Sequence, residues 1–455
     1  MADVIRLPAL GPRGAYESGT QIAVHDVSGN RVAELGLVPT AFVARALSSL
    51  RKASPLPLDE RLGAIAEAGE LFATSTVAGL SPGEYEHAVC RVSGLPISVI
   101  RAATAATAHR ALHLRRAVDA ARPKDAVPSW RDPLTRFGRA VWARKGEVFA
   151  VHASGLHPGG HSLWLEALAL GYRVAVRPNP REPFTAHRLV AALRMAGLGA
   201  DHVVWLPTEH EAGSALLHGA DLAYGGDDVI RRFSPSSKIL AQEPGRSKIL
   251  VTADHDWREH LDTIVDSVSH HGGAGCVNAT AVFVEGDAGP LASALAERLT
   301  ALPSARPEDD TAVLPVQATR SARALEKFLQ VKAGNAKPWL GAQQVVDDLG
   351  DGSAVLRPAV HEVDRPDAPQ LDVELPFPCV WVAPWSRRGG RAALRDTLTL
   401  TVLTGDDELF DDLVGEPTIA NLHRGDWPTY WTDIGLPHED HLVSFLMRCK
   451  TVIRS

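Results

Sequence analysis

The chain has 455 residues, 45% of them hydrophobic and 22% charged, with 38 glycines and 31 prolines. This is ordinary globular composition in a chain too long for one small core, so two or more domains are expected. A formal net charge of −7, without any long Lys/Arg run, offers no basic surface to neutralise a phosphate backbone, which argues against nucleic acid as a partner.

The four cysteines, Cys90, Cys276, Cys379 and Cys449, are scattered, and no two stand at a metal-ligand or redox spacing. A reduced, cytoplasmic protein without a metal site is the expectation. The start, "MADVIRLPALGPRG", lacks a basic segment followed by an apolar core, and no window approaches about eighteen uninterrupted apolar residues. Neither a signal peptide nor a membrane span is expected.

In chain order, residues 40–75 read as helix, with Phe42, Ala46, Leu47 and Leu50 on one face of "AFVARALSSLRKA" and a break at Pro55 and Pro57. Helix continues from "SPGEYEHAVCRVSG" to "SVIRAATAATAHRALHLRRAV", where Cys90 reads as a small core residue. "SWRDPLTRFGRAVWARKG" has the alternation and turn residues of a hairpin. From Glu147 the rhythm becomes strand, loop, helix, strand, helix, strand: "EVFAVHA", "SGLHPGG", "HSLWLEALAL", "RVAVRP", "FTAHRLVAALRMAG", "HVVWLP". Repetition at this spacing predicts a parallel sheet covered on both faces, with its ligand at the carboxyl ends of the strands.

"DLAYGGDDVIRRF" extends the pattern, with Gly225 and Gly226 between a strand and a further helix. Such a pair either lets backbone N–H groups approach a phosphate or simply makes a tight turn. No G-x-G-x-x-G and no P-loop pattern is present. In the second half, "WREHLDTIVDSVSHHGG" is a one-sided helix with Leu261, Ile264, Val265 and Val268 inward, stopped by Gly272 and Gly273; "ATAVFVEGD" is the strand that follows. Cys276 lies between the two, where a side chain can face a cleft. Residues 304–325 and 336–370, richer in Pro, Asp and Gly, are expected to carry longer loops.

Several stretches, in this order, resemble the aldehyde dehydrogenase superfamily. "GGAGCVNATAVFV" is similar to its nucleophile segment, and "AQEPGRSKILV" to its Glu-x-Gly-Gly-Lys segment, with Glu243 33 residues before Cys276. "WLEALALGYRVAVRPNPREPFTAHRLVAALRMAGL" resembles the elements that hold the cofactor's adenosine, "DLAYGG" the Phe-Thr-Gly-Ser turn, "VELPFPCVWVAP" the Glu-x-Phe-Gly-Pro segment and "FLMRCKTVI" the closing strand. The resemblance implies an α/β fold of that family: a Rossmann-type cofactor domain, an α/β catalytic domain and a small oligomerisation arm. The implied boundaries are N-terminal helices of the cofactor domain in 1–127, an arm hairpin in 128–145, the cofactor-binding domain in 146–246, the catalytic domain in 247–430 and a C-terminal arm in 431–455. A homodimer or homotetramer would follow.

The chemistry agrees with the resemblance. An aldehyde releases hydride only after a nucleophile has made its carbon tetrahedral; a thiolate does so and keeps a thioester when hydride departs to a nicotinamide. Cys276 is the implied nucleophile and Glu243 the implied base that activates water. The family's oxyanion-binding Asn has no counterpart: Leu156 stands at its position with His157 beside it, and losing one such donor typically costs ~2.7–4 kcal/mol of barrier. His157 is either a substitute donor or a solvated loop histidine. His270 and His271 are expected to satisfy the carbonyls at a helix end.

For the cofactor, Arg177 replaces the family's ribose-holding Lys, and Pro178 and Asn179 follow it. Pro180 falls where a carboxylate would repel a 2′-phosphate; with Arg173, Arg177 and Arg181 nearby, NADP(H) is favoured over NAD(H). Glu374 matches the carboxylate that holds the nicotinamide ribose. "SPGEYEHAV", "GLPISVI" and "YGGDDVIRRF" resemble the acyl-CoA and fatty-acid reductase branch, whose members reduce a cysteine-bound acyl group with NADPH. Trp427, Tyr430 and Trp431 either line an apolar pocket or pack. The leading expectation is NAD(P)-dependent oxidation of a small-molecule aldehyde to the acid. Its alternatives are NADPH-dependent reduction of an acyl thioester and a catalytically silent relative kept for binding or assembly.

Overall fold

The computed structural model describes residues 4–153, 155, 157–226, 238–241, 245–437 and 442–454. Helix α1 (Thr40–Lys52) buries Val43, Ala46, Leu47 and Leu50, an i, i+3, i+4, i+7 stripe. Phe42 sits one position off that stripe and packs on Tyr16, with ring centroids 4.3 Å apart. Pro57 precedes α2 (Leu58–Thr74). A capping box between Ser81 and Glu84, with Pro82 at the first helical position, opens α3 (Pro82–Ser93), which buries Cys90. α4 (Ile97–Leu112) and α5 (Leu114–Ala121) complete this helical layer.

Two seven-stranded sheets organise the rest. The first is built on β1 (Ala9–Gly11), β2 (Gly14–Tyr16), β3 (Val148–His152), β4 (Arg173–Arg177), β5 (Val203–Trp205), β6 (Leu222–Gly225) and β7 (Ile239–Ala241), in the order β7-β6-β3-β4-β5-β1-β2. β3 to β7 pair in parallel, and the β1–β2 hairpin adds antiparallel at the β5 edge. α6 (Leu165–Ala169), α7 (Phe184–Met195) and α8 (His210–Gly219) connect these strands. β3 and β4 are buried at all five positions, as expected of strands covered on both faces. The chain goes from β3 outward through β4 and β5, then returns to the opposite side of β3 for β6 and β7. The carboxyl ends of β3, β4 and β6 therefore flank a topological switch point, the place where open α/β sheets take their ligands.

The second sheet comprises β8 (Ser247–Val251), β9 (Ala279–Glu285), β10 (Lys337–Leu340), β11 (Ala359–Glu362), β12 (Cys379–Trp385), β13 (Thr397–Leu403) and β14 (Ile419–Arg424), in the order β10-β11-β12-β9-β8-β13-β14. Only β10 pairs antiparallel. α9 (Leu261–Ser269), burying Ile264, Val265 and Val268, leads into the loop before β9. Residues 304–325 and 336–370 hold more regular structure than their composition suggests. Short strands at Val316–Ala318, Val346–Asp348 and Ser353–Leu356 form a small antiparallel sheet beside α11 (Thr319–Ala333), while α10 (Gly289–Thr300) packs on β10, β11 and β12. The Pro- and Gly-rich segments turn tightly between these strands.

A separate three-stranded sheet joins Arg139–Arg144 to Met447–Val452 in antiparallel register and to Ala126–Val127 in parallel. Residues 128–145 therefore do not fold back on themselves as a hairpin. Pro133–Phe137 forms a 3₁₀ turn opened by the Asp132 cap, so the chain re-enters in the same direction and finds its antiparallel partner in the C-terminal strand.

Candidate active site

The loop that carries Cys276 begins where α9 ends. His271 (φ 50), Gly272 (φ 76) and Gly273 (φ 66) are three successive left-handed residues. They reverse the chain and bring Gly273 so close to Pro378 that a β-carbon on residue 273 would lie 2.5 Å from its nitrogen. Cys276 follows, partly buried. Asn278, buried, holds the loop from inside. Its Oδ1 accepts from Gly275 N at 2.8 Å, and its Nδ2 donates to Ser267 O at 3.1 Å and His270 O at 2.9 Å.

Two other segments clamp the loop. Gly245 lies directly against Cys276: a β-carbon at residue 245 would come within 1.8 Å of the Cys276 carbonyl oxygen, so only glycine fits. Ser247 Oγ donates to that same oxygen at 3.0 Å. The Gly245 N–H in turn donates to Glu374 Oε2 at 3.0 Å. Cys276, Gly245 and Glu374 thus meet at the ends of β8, β9 and β12. Among the four thiols, Cys90 and Cys379 are buried in apolar surroundings that push both pKa values up, Cys379 to about 12; Cys449 is exposed on the C-terminal strand. Cys276 is the half-buried thiol of the four.

His157 lies in the loop after β3. Its Nδ1 accepts from Gly159 N at 3.1 Å, which leaves the proton of the neutral ring on Nε2. Its face stacks on His271, with centroids 5.4 Å apart, and burial together with His271 pushes its pKa down to about 4. The structure therefore brings His157 to the loop that carries Cys276. The rings of His270 and His271, expected at the helix-end carbonyls, stack on each other at 3.7 Å, and His270 stacks on Tyr430 at 3.6 Å. Trp427 and Trp431, ring centroids 5.1 Å apart, continue the aromatic surface outward and are 48% and 41% exposed. Glu243 and Leu156 lie outside the described residues.

At the switch point of the first sheet, His152, Arg177 and Gly225 occupy paired register positions at the carboxyl ends of β3, β4 and β6. Arg177 is buried. Its Nε donates to Thr208 Oγ1 at 2.8 Å, its Nη2 donates to Thr208 O at 3.2 Å, and its Nη1 meets His152 Nε2. Gly213 leaves room for this head, since a β-carbon there would stand 2.7 Å from Arg177 Nε. Pro178 is buried, and Asn179 Oδ1 closes a turn on Arg181 N at 2.9 Å. Gly225 and Gly226 are buried at the end of β6; the helix expected after them falls on 227–237, outside the described residues. Arg173 is at the opposite end of β4, its guanidinium bonded to Ala53 O, so it stands a strand's length from the switch point. It is removed from the phosphate-binding set.

Residues 162–388 match the sequence profile of the aldehyde dehydrogenase family. The chain carries an aldehyde dehydrogenase family domain. A Sinorhizobium fredii protein named as aldehyde-dehydrogenase-like is 24% identical over 179 residues, covering 37% of this chain and 35% of its own length, so the match spans about a third of that relative. The fold is that of solved family members. The aldehyde dehydrogenase KauB from Pseudomonas aeruginosa superposes with a TM-score of 0.84 at 16% identity, over 98% of this chain and 96% of that one. An indole-3-acetaldehyde dehydrogenase of P. syringae, solved with NAD⁺, gives 0.83 at 17%, over 99% and 97%.

In this aldehyde dehydrogenase domain, the sequence alone did not single out Asn278, Ser247 and Gly245 as supports of the Cys276 loop. Asn278 carried a signal, a polar side chain two residues past the cysteine at the start of an apolar strand. Gly245 stands at a glycine of the segment similar to Glu-x-Gly-Gly-Lys, but its contact with Cys276, like that of Ser247, depends on the β8–β9 pairing. Among the described residues no group of His, Cys, Asp and Glu could hold a metal ion, and no helix is long and apolar enough to cross a membrane.

Proposed function

We propose that the protein oxidises an aldehyde to the acid with NAD(P)⁺ through a thioester on Cys276. The observation that carries this reading is the clamp on Cys276: its carbonyl held by Ser247 and pressed by Gly245, whose N–H reaches Glu374, with the loop stapled by Asn278. The Cys276 thiolate adds to the aldehyde carbon, and the carbonyl π pair becomes an oxyanion. Collapse of that thiohemiacetal expels hydride and leaves the thioester; water then displaces the thiol and gives the acid. Glu243, assigned from the sequence, is the base for that water. The His157 Nε2–H takes the place of the missing Asn amide as a donor to the oxyanion.

Gly225 and Gly226, buried and without side chains beside His152 and Arg177 at the switch point, fit a dinucleotide lying across the carboxyl ends of β3, β4 and β6. Arg177 acts there as a brace, joining His152 to Thr208, while Pro178 and Asn179 shape the turn under the ribose. Glu374 holds the nicotinamide ribose. When bound, the nicotinamide supplies the hydride acceptor. NADP(H) preference rests on Pro180, where no carboxylate repels a 2′-phosphate, and on the exposed Arg181. The arm sheet, with Phe137 86% exposed and Ile453 74% exposed beside it, suits a homodimer.

Intact-protein mass after incubation with aldehydes plus NAD⁺ or NADP⁺, and separately with acyl thioesters, tests the reading. An acyl adduct absent from Cys276→Ala supports it, and the donor that generates the adduct fixes the direction. No adduct across a broad panel, with cofactor binding demonstrated, overturns it in favour of a repurposed scaffold.

A further inference from the structure

Four rings from three parts of the chain stand in one column. His157 comes from the loop after β3, His271 and His270 from the reversal before Cys276, and Tyr430 from the segment after β14. Successive centroids are 5.4, 3.7 and 3.6 Å apart, with interplanar angles of 26°, 27° and 8°. The middle of the column is held at a conformational cost. His271 has φ 50 and ψ 35, in the left-handed region that disfavours any side chain. The next two residues share that region and are glycine. A glycine at 271 would relieve the backbone and delete the ring between His157 and His270.

The His157 ring is then fixed twice, on its edge by the Gly159 N–H at Nδ1 and on its face by His271. We propose that His271 and His270, backed by Tyr430, are positioning residues that hold the His157 imidazole in a single orientation and tautomer for its role in the Cys276 reaction. The inference rests on the reading of His157 as oxyanion donor. The titratable neighbours along the column are the histidines themselves, with Asp266 toward Tyr430. Burial pushes His157 and His270 down to about 4, so both rings stay neutral at ordinary pH. The column therefore works as a set of uncharged plates.

The test compares His271→Gly, which removes the ring while easing the backbone, with His270→Phe, which keeps a flat plate. The full chain is used with nicotinamide cofactor and an aldehyde that the wild type turns over. His271→Gly is expected to melt at or above the wild-type temperature yet lose about tenfold in kcat, with KM within about threefold. Opened to water, its His157 should titrate nearer the ordinary value of about 6.5. His270→Phe should keep kcat within about threefold. A His271→Gly enzyme with unchanged kcat and unchanged His157 titration overturns the proposal. Should the wild type form no Cys276 adduct, the functional reading falls on its own. The His157 titration, followed by imidazole NMR in both proteins, still decides the positioning claim: an upward shift in His271→Gly supports it and no shift overturns it.

Discussion

Replacing Asn278 by alanine removes three hydrogen bonds at once, a buried one to Ser267 O and part-buried ones to Gly275 N and His270 O. Each such bond contributes about 1 kcal/mol net, and an orphaned buried group costs about 1–3 kcal/mol, so the total loss is about 3 kcal/mol. For a chain of 455 residues, at about 2.1 cal/mol/K of unfolding entropy per residue, that lowers Tm by roughly 3 °C. Because the three bonds pin both ends of the reversal that carries Cys276, alkylation of Cys276 should become faster while kcat falls. Asn278→Asp sharpens the argument: the carboxylate keeps the bond from Gly275 N but faces the two carbonyls it should donate to, so it should destabilise at least as much as alanine. Thermal unfolding, with iodoacetamide labelling followed by mass spectrometry, measures both effects. A loss below about 1 kcal/mol, with unchanged labelling, would refute the view that Asn278 holds the loop.

Four further outcomes are expected. Iodoacetamide near neutral pH should modify Cys276 and the exposed Cys449 but spare Cys90 and Cys379, whose burial raises their pKa values; early labelling of Cys379 in folded protein would contradict this. Gly245→Ala places a methyl on the Cys276 carbonyl and should cost about 1–3 kcal/mol or more, with loss of turnover; a folded, fully active variant would disprove the close approach. Glu374→Gln, which still accepts from Gly245 N, should raise the KM for cofactor about tenfold with little change in Tm, whereas an unchanged cofactor KM would remove Glu374 from the ribose site. Glu182, buried under Thr185 N, has its pKa raised to about 7. A raised carboxyl stabilises the fold while protonated, and that contribution is lost as pH rises through about 7, so Glu182→Gln should be more stable than wild type at pH 8 and nearly equal at pH 5; the opposite order would refute it.

The alternation of apolar strands and helices from Glu147 onward was legible because fully buried parallel strands read as unbroken apolar runs. Val148–His152 and Val203–Trp205 are plain examples. The small antiparallel sheet around Ser353–Leu356 was not, since its three- and four-residue strands are too short to display a period. Arg173 was grouped with Arg177 on sequence proximity, although the two stand at opposite ends of one strand. The rule that ligands gather at carboxyl ends would have separated them. The loop that carries Cys276 was legible from its glycines before an apolar strand. The ring column was not, because His157 lies far from His271 in sequence and only the fold brings the two rings together.

The most direct test of the central claim is the intact mass of the protein mixed with aldehyde and NAD(P)⁺ and quenched within the first turnovers, in wild type and Cys276→Ala. The account predicts an acyl adduct on the peptide that contains Cys276, formed with reduced nicotinamide and absent from the variant. Reduced nicotinamide produced equally by Cys276→Ala, or an adduct on another cysteine, would contradict it.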